Sequence, residues 1–497
     1  MSGSAARSKT LAALIEEVRR ESSTDARRAI RRIIVDGREA TTSDLAGVTI
    51  TDVDSDSRRA TTGTLYCCVV GDTHDGHDHA AAAVRAGAAA VLVERELTDL
   101  PAAIPQIVVD DSRRATGPFA AAFHDEPSRH MRVVGVTGTN GKTTTAHVLA
   151  DVLRAAGLDT RVIGTLTGVR TTPDAPELQR LLAAHRADGA EAVVMEVSSH
   201  ALAQHRVAGM RFAAAVFTNL GHDHLDFHGT LERYFAAKAS LFDPRLADMG
   251  VVNRDDVHGR LLIDGAALPI VSFGLEDARD VEAGVADHRY TWQSVRVNVG
   301  LGGHFNVMNS LAAATTALAL GTPVDDIVRG LAAVTPVPGR FEYVDVGRDF
   351  AVIVDYAHTP EALARVLESA RRVARSGRVI VVFGCGGGRD ASKRPDMGAV
   401  ATRDADAVVL TSDNPRNENP AAIIADIERG VPAQRRDVLV AVEEDRRAGI
   451  ARALSEARSG DVVVVAGKGH EATQTIADRE IPFRDVDVVR ELAGMAA

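Results

Sequence analysis

The segment VVGVTGTNGKTTT (133–145) carries an apolar strand into Gly138, Gly141, Lys142 and Thr143 as a helix begins. Residues of these types in this order handle phosphate. Glycines let backbone N–H groups approach phosphate oxygens, and the helix N-terminus adds positive potential. Lys142 is placed to reach the terminal phosphates of a nucleotide, and the Thr143 hydroxyl to hold Mg²⁺. Thr139, Asn140 and Thr144 complete the loop as ATP-binding candidates. Only two residues separate Gly138 from Gly141, against four in the usual P-loop, so the spacing turns away from generic kinases and GTPases.

Lysine is rare in this chain. It has five lysines among 57 basic residues, and four lie in glycine-, histidine- or proline-marked motifs. These are Lys142, Lys238 in YFAAKASLF, Lys393 in GRDASKRP and Lys468 in AGKGHE. A lysine amine is a compact charge that can be deprotonated and modified, which suits chemistry a guanidinium cannot perform. Glu196 ends the apolar run AVVMEVSSHAL, where an unpaired carboxylate is costly. FTNLGHDHLDFHGT leaves another apolar strand and presents His222, Asp223, His224, Asp226 and His228. His is an unusual Mg²⁺ ligand, so from its residues alone this cluster fits a zinc site or a solvated loop equally well. Lys238 sits on the partly apolar face of a helix, where by itself it reads as a snorkelling surface residue. TSDNPRNENP presents Asp413, Asn414, Pro415 and Arg416 as an exposed loop, with Asn419 and Pro420 as the cap and first position of the next helix. Arg416 offers a planar fork suited to a carboxylate.

These candidates need elements that bring them together. A chain of 497 residues predicts about three domains, at roughly 150 residues each. With 45% hydrophobic and 25% charged residues each domain can build a core, and with only 4% aromatics Val, Ala, Leu and Ile must fill it. The expected fold is α/β throughout. Residues 1–131 read as a small N-terminal α/β domain, with two short strands in ITDVDSDSRRATTGTLYCCVVG and then a helix ending at Gly87. In 132–337, the runs MRVVGVTG, EAVVMEVSS, FAAAVFTNL and MGVVNRD alternate with helices, which predicts a central, mostly parallel, doubly wound P-loop sheet. TPVPGRFEYV (335–344) is the linker candidate. A Rossmann-like series, FAVIVDYAHTP, RVIVVFGCGGG, DAVVLTSDNPR and DVVVVAGKGHE, fills 338–497. Ligands collect at the carboxyl ends of such strands, so function belongs in those loops.

A net charge of −11 argues against nucleic acid as a bulk electrostatic partner. Cys67, Cys68 and Cys385 supply no disulfide framework, which fits a reducing compartment. The leader MSGSAARSKTLAALIEEVRRE reads as a polar helix rather than a signal peptide, and no apolar run approaches about 18 residues. A cytoplasmic protein without membrane insertion is expected.

In this order and spacing, GTNGKTTT, MEVSSHALAQHR, NLGHDHLDFHG and YFAAK resemble the Mur ligases of peptidoglycan synthesis. SDSR and GDTHDG extend the match upstream, and HFNVMN, PGRFE, DYAHTP, KRPDMG, DNPR and GKGHE extend it downstream, from about residue 48 to 485. The resemblance implies an ATP- and Mg²⁺-dependent amide ligase acting on UDP-N-acetylmuramoyl-L-alanyl-D-glutamate and meso-diaminopimelate, with a monomer expected. The γ-carboxylate of D-Glu attacks the γ-phosphate of ATP, and the amine of the diamino acid displaces phosphate from the acyl phosphate. It further implies Lys142, Lys238 and His224 as catalytic residues, with Lys238 carbamylated by CO₂ into a carboxylate-like ligand. Thr143 and Glu196 then hold one Mg²⁺, and His224 with carbamylated Lys238 the other.

By the same resemblance, Ser57 and the loop Asp72, Thr73 and His74 form the uridine edge. Thr171, Thr172, Ser198, Gln204 and Arg206 match positions that grip the muramoyl-dipeptide. Asn306 and Asn309 match adenine-side asparagines, and Arg340 and Asp355 hold the nucleotide from the third domain. Arg389, Asp413, Asn414, Pro415, Arg416, Gly467 and Glu471 match the diaminopimelate site. L-lysine is the alternative amino acid, which Arg416 disfavours because it attracts a carboxylate and repels an ammonium. Two positions depart from the family pattern: Gly388 stands where an acidic residue is expected before Arg389, and His222 where arginine is common. The SDSR…DGHDH region argues against a folylpolyglutamate synthetase. Retention of Lys142, Glu196, His224 and Lys238 together argues against a silent nucleotide-binding regulator.

Overall fold

In this computed structural model, residues 7–21, 30–71 and 74–494 are described; Asp72 and Thr73, expected at the uridine edge, lie outside them. Three six-stranded sheets organise the chain, and all three are wholly or mostly parallel. The central sheet runs Thr160–Ile163, Ala192–Glu196, Arg132–Thr137, Ala214–Phe217, Gly250–Asn253 and Ile270–Phe273, with every neighbouring pair parallel. Its strands are Val- and Ala-rich because both faces are covered. Val148, Leu149 and Val152 of the helix Lys142–Ala155 and Val307 and Leu311 of Phe305–Ala319 pack on one face. Leu178, Leu182, Phe212 and Phe242 fill the other. Arg132–Thr137 comes first in the chain yet lies between Ala192–Glu196 and Ala214–Phe217. The strand order therefore reverses there, and three carboxyl ends open onto one crevice. That crevice receives the glycine loop, Glu196 and the histidine-bearing loop.

The third sheet runs Glu342–Val344, Ala351–Asp355, Val462–Ala466, Val379–Phe383, Ala407–Thr411 and Leu439–Glu443, antiparallel only at its first pair. The first sheet pairs Asp52–Asp54, Thr64–Cys67, Ala90–Val93 and Gln106–Val109 in parallel, then adds Ile30–Val35 and Arg38–Glu39 antiparallel. Among the described residues no helix is long and apolar enough to cross a membrane.

Two parts of the chain differ from the sequence reading. The leader helix Leu11–Glu21 is not polar: Leu11, Leu14, Ile15 and Val18 are buried in the first domain's core with Phe119 and Phe123. Their spacing of three, one and three residues makes a single apolar stripe, which the flanking charges hide in a count of residue types. Residues 279–299 form a separate antiparallel sheet, Arg279–Ala283, His288–Trp292 and Val295–Val299, which no continuous apolar run marks in the sequence. Tyr290, Trp292, Val297 and Val299 alternate inward to the central core. His288 Nε2 meets Ser310 Oγ at 2.9 Å, fastening this sheet to the helix that carries Asn306 and Asn309.

Candidate active site

The glycine loop is held from the neighbouring strand end. Thr139 N donates to Asn219 O at 2.9 Å and Asn140 N to Asn219 Oδ1 at 3.0 Å, while Asn219 Nδ2 and Thr218 Oγ1 both donate to Asn140 O. Asn219 is a positioning residue that the sequence reading missed; its place two residues beyond an apolar strand was the available signal. Gly141 has φ +84, and a Cβ there would strike Asn309 Oδ1, so glycine is required on both counts. Asn309 faces the cleft, whereas Asn306 is fully buried behind it and accepts from Asn309 Nδ2 at 2.8 Å.

A cleft of about 590 Å³ opens at this point, between the central and third sheets. Glu196, 1% exposed, accepts from Thr143 Oγ1 at 2.9 Å and from Thr165 N at 2.8 Å. Arg340 reaches in from the segment between the sheets, and its Nη2 donates to Thr143 Oγ1 at 3.1 Å. Its guanidinium lies 4.6 Å from the Tyr356 ring centre, and its Nε is buried without a hydrogen-bond partner, as is Asn140 Nδ2. Buried donors of this kind call for a ligand. Asp355 accepts from Phe341 N and Ala357 N, both at 2.7 Å, while burial raises its carboxyl above the usual value.

Two lysines converge on one carbonyl. Lys142 Nζ donates to Gly138 O at 3.0 Å and to Thr139 O at 2.8 Å, and Lys238 Nζ donates to the same Gly138 O at 2.8 Å. Lys238 is 1% exposed and sits 4.5 Å from the Tyr234 ring centre. It is therefore not a snorkelling surface residue; its stem runs inward because the helix Leu231–Ala239 turns Tyr234 and Lys238 to the core. No carboxylate pairs with it among the described residues. Burial, then the neighbouring Lys142, hold the Lys238 amine well below its ordinary pKa, against the pull of Asp223. Burial also lowers Lys142. Tyr234, another residue the sequence reading did not single out, joins its hydroxyl to Thr139 Oγ1 at 3.0 Å and so ties the lysine helix to the glycine loop.

His224 also lines the cleft, at φ 55, before the short helix Leu225–His228. Desolvation holds its imidazole below the ordinary value, which leaves a neutral ring with a free lone pair. The His200 ring stands edge-on to it at 4.6 Å. His228 turns inward to Ser199 Oγ at 3.0 Å. Among the described residues no three His, Cys, Asp or Glu side chains are grouped to hold a metal.

Thr171 and Ser198 line the same cleft. Thr172 Oγ1 donates to Glu196 O at 2.9 Å, Arg206 Nη1 donates to Thr172 O at 2.9 Å, and Arg206 Nη2 donates to Gln204 Oε1 at 2.7 Å. Ser198 also caps the helix Ser199–Ala203, its side chain accepting from Ala201 N. Gln204 and Arg206 line a second cavity of about 240 Å³, next to Arg113 and Arg170. Ser57 and His74 line neither cavity.

At the far end of the third sheet, Asp413 and Asn414 are 7% and 5% exposed, so the loop is not exposed as expected. It is drawn inward by Gln474 Nε2 on Asp413 O (2.7 Å) and Thr475 N on Asn414 Oδ1 (2.9 Å). The sequence reading missed this because those partners lie some 60 residues downstream. Arg416 is half-buried at φ 50, held by backbone bonds to Thr475 and Ala477, and its Nη1 donates to Gly387 O at 2.7 Å. Gly467 and Glu471 adjoin Asp413 and Asn414, whereas Arg389 is exposed. Gly388 has φ +61, and its N–H donates to Glu418 Oε1 at 2.5 Å. The carboxylate beside this loop thus comes from Glu418, which Arg394 pairs with at 2.8 Å.

Fold and cleft together define a P-loop α/β protein built on three six-stranded sheets. The chain belongs to the Mur ligase family. The profile for "Mur ligase family, catalytic domain" matches residues 49–124, "Mur ligase middle domain" matches 136–317, and "Mur ligase, glutamate ligase domain" matches 339–469. The UDP-N-acetylmuramoyl-L-alanyl-D-glutamate–2,6-diaminopimelate ligase of Geobacillus thermodenitrificans is 44% identical over 466 residues, covering 89% of this chain and 94% of that protein. The enzyme of the same name from Streptomyces avermitilis is 44% identical over 468 residues, covering 89% and 92%. A solved structure of a ligase with this name shares 34% identity and a TM-score of 0.65, over 90% of this chain and 96% of the other. A folylpolyglutamate synthase of Mycobacterium tuberculosis, 18% identical with a TM-score of 0.58 over 78% of this chain and 95% of the other, shares the fold alone.

Proposed function

We propose that this chain is an ATP-dependent amide ligase that joins meso-2,6-diaminopimelate to UDP-N-acetylmuramoyl-L-alanyl-D-glutamate in peptidoglycan precursor synthesis. The observation that carries this is the 44% identity to ligases of that name along 89% of the chain. Residues 1–131 take the UDP end, 132–337 the ATP, and 338–497 the amino acid. The three cysteines are free, which supports a reducing, cytoplasmic setting.

The chemistry brings two anions together, so charge neutralisation and positioning do most of the work. Lys142, folded over its own loop, needs only to turn outward to meet the γ-phosphate. Arg340 and the N–H groups at the start of the helix Lys142–Ala155 hold the phosphates while the substrate's γ-carboxylate oxygen forms its bond to phosphorus and ADP leaves. The amine then attacks the acyl carbon, the C–N bond forms as the nitrogen gives up a proton to solvent, and phosphate departs with the carboxylate oxygen.

The donor set fits Mg²⁺: a buried Glu196 carboxylate beside the Thr143 hydroxyl offers the oxygen ligands that ion favours. Thr143 with Glu196, and His224 with a carbamate on Lys238, are the residues that would hold Mg²⁺, which supplies charge neutralisation at the phosphates when bound. The carbamate reading rests on Lys238 being buried, without a carboxylate partner among the described residues, and crowded by Lys142, which favours a neutral, nucleophilic amine. Its lone pair bonds to the CO₂ carbon and one N–H proton passes to solvent, leaving N–COO⁻. An arginine cannot do this.

Arg416 selects the amino acid. Diaminopimelate ends in a carboxylate and an ammonium, whereas lysine ends in an ammonium only. Arg416→Lys keeps the charge but loses the fork, so the KM for diaminopimelate should rise about 10–100-fold, the worth of one or two charge-assisted bonds. The KM for ATP should change less than about twofold. Steady-state kinetics with each substrate varied in turn decide this, and a weakened ATP KM with unchanged diaminopimelate KM would place Arg416 in the nucleotide site.

A further inference from the structure

Lys393 and Lys468 have no task in the reaction above, and Lys468 is the more informative. It is fully buried, yet unlike Lys238 it is saturated with partners. Its Nζ donates to Thr473 O at 2.6 Å, to Glu471 Oε2 at 3.1 Å and to Asn414 Oδ1 at 3.2 Å. An ammonium has three protons, and here each has an acceptor. The network runs on: Asn414 Oδ1 also accepts from Thr475 N at 2.9 Å, and Asn414 Nδ2 donates to Glu471 Oε2 at 2.6 Å. Turning the amide over would set its NH₂ against two donors, so its orientation is fixed. Glu471 is held through Oε2 alone; its Oε1 has no partner among the described residues, and the side chain is 31% exposed.

We propose that Lys468 is a positioning residue for the amino-acid substrate: it holds the Asn414 amide and one oxygen of Glu471 so that Glu471 Oε1 is presented to the substrate's ammonium group. This rests on the reading that Asn414, Arg416 and Glu471 receive the diamino acid. The position also explains the residue type. The three acceptors converge on one point from different directions in a site closed to water, which suits a compact ammonium and not a planar guanidinium. In a chain where five of 57 basic residues are lysine, this geometry excludes arginine. A second buried cation supports the same two loops from below: Arg446 donates to Ser412 O at 3.1 Å and to Ala466 O at 3.0 Å.

The test is initial-rate kinetics on the full-length wild type, Lys468→Met, Lys468→Arg, Glu471→Gln and the double variant Lys468→Met/Glu471→Gln. Lys468→Met should raise the KM for meso-diaminopimelate about 10–100-fold while leaving the KM values for ATP and the UDP-linked substrate within about twofold, and Lys468→Arg should not restore it. Because Lys468 acts through Glu471, its removal should add little in the Glu471→Gln background. Equal damage to all three KM values, or an undiminished effect in that background, overturns the proposal. Should Lys468→Met fail to fold, wild-type protein labelled with ¹⁵N at the lysine Nζ atoms gives the answer, since only five resonances are possible. Saturating meso-diaminopimelate should shift the slowly exchanging buried ammonium; a resonance that does not move overturns the proposal. A wild type that turns over no diaminopimelate defeats the functional reading itself, whereas a normal wild type with a normal Lys468→Met variant defeats only the role of Lys468.

Discussion

Lys238→Ala will lose at least about 10³-fold in kcat, the scale on which removing groups that stabilise transition-state charge is felt. The side chain is buried, shares the Gly138 carbonyl with Lys142 and has no carboxylate partner among the described residues. As an ammonium it is a buried charge set beside Lys142, and burial first, then that neighbour, hold its pKa well below the ordinary value. As a carbamate it becomes an anion between Lys142 and His224, and the same crowding turns favourable. Short-chain carboxylates, which fit the space left by alanine, should therefore restore part of the rate. Neither arginine nor methionine at 238 should respond to them. Activity within a few-fold of wild type, or a dead variant that no carboxylate rescues, contradicts a carbamate role.

Arg446→Met will destabilise the third domain by about 3–5 kcal/mol, the usual consequence of leaving a buried charge without its partner. Arg446 and Asp485 are both 0% exposed, joined by two bonds of 2.7 Å. Two of the three remaining guanidinium protons satisfy the carbonyls of Ser412 and Ala466, at the carboxyl ends of Ala407–Thr411 and Val462–Ala466. Removing the cation strands one carboxylate and two carbonyls together. Amide hydrogen exchange in those two strands reads the loss directly. The paired change Arg446→Met/Asp485→Leu should recover most of the stability, because no charge is left uncompensated. It should not recover the diaminopimelate KM, since the loops of Asp413 and Lys468 still lack their support. Exchange rates unchanged in Arg446→Met contradict this account.

What could be read from the chain follows from where the information sits. Four strands of the central sheet were legible because each is a short, mostly apolar run ending in a polar loop, as in MRVVGVTG and EAVVMEVSS; the edge strands Thr160–Ile163 and Ile270–Phe273 were not, because polar residues interrupt their apolar runs. The glycine loop was legible because its function is local, in that strand, glycines and helix are contiguous. Glu196 betrayed itself as a carboxylate at the end of an apolar strand. Residues whose meaning depends on distant partners were opaque. Asn219 and Tyr234 hold the glycine loop from 79 and 95 residues away. Lys238 looked like a surface lysine because nothing in YFAAKASLF shows that its helix faces inward. Asp413 and Asn414 looked exposed because the segment that covers them, 473–475, comes much later. Antiparallel 279–299 went unseen because half its residues face water, so no apolar run marks it.

The measurement that bears most directly on the central claim is a mass-spectrometric product assay. Purified chain is incubated with ATP, Mg²⁺ and UDP-N-acetylmuramoyl-L-alanyl-D-glutamate, with either meso-diaminopimelate or L-lysine as the amine, and ADP and phosphate are followed alongside. The account predicts a UDP-linked tripeptide carrying diaminopimelate, formed one for one with ADP and phosphate, and little product with lysine. Equal turnover with lysine, or ATP consumption that does not depend on either amine, would contradict it.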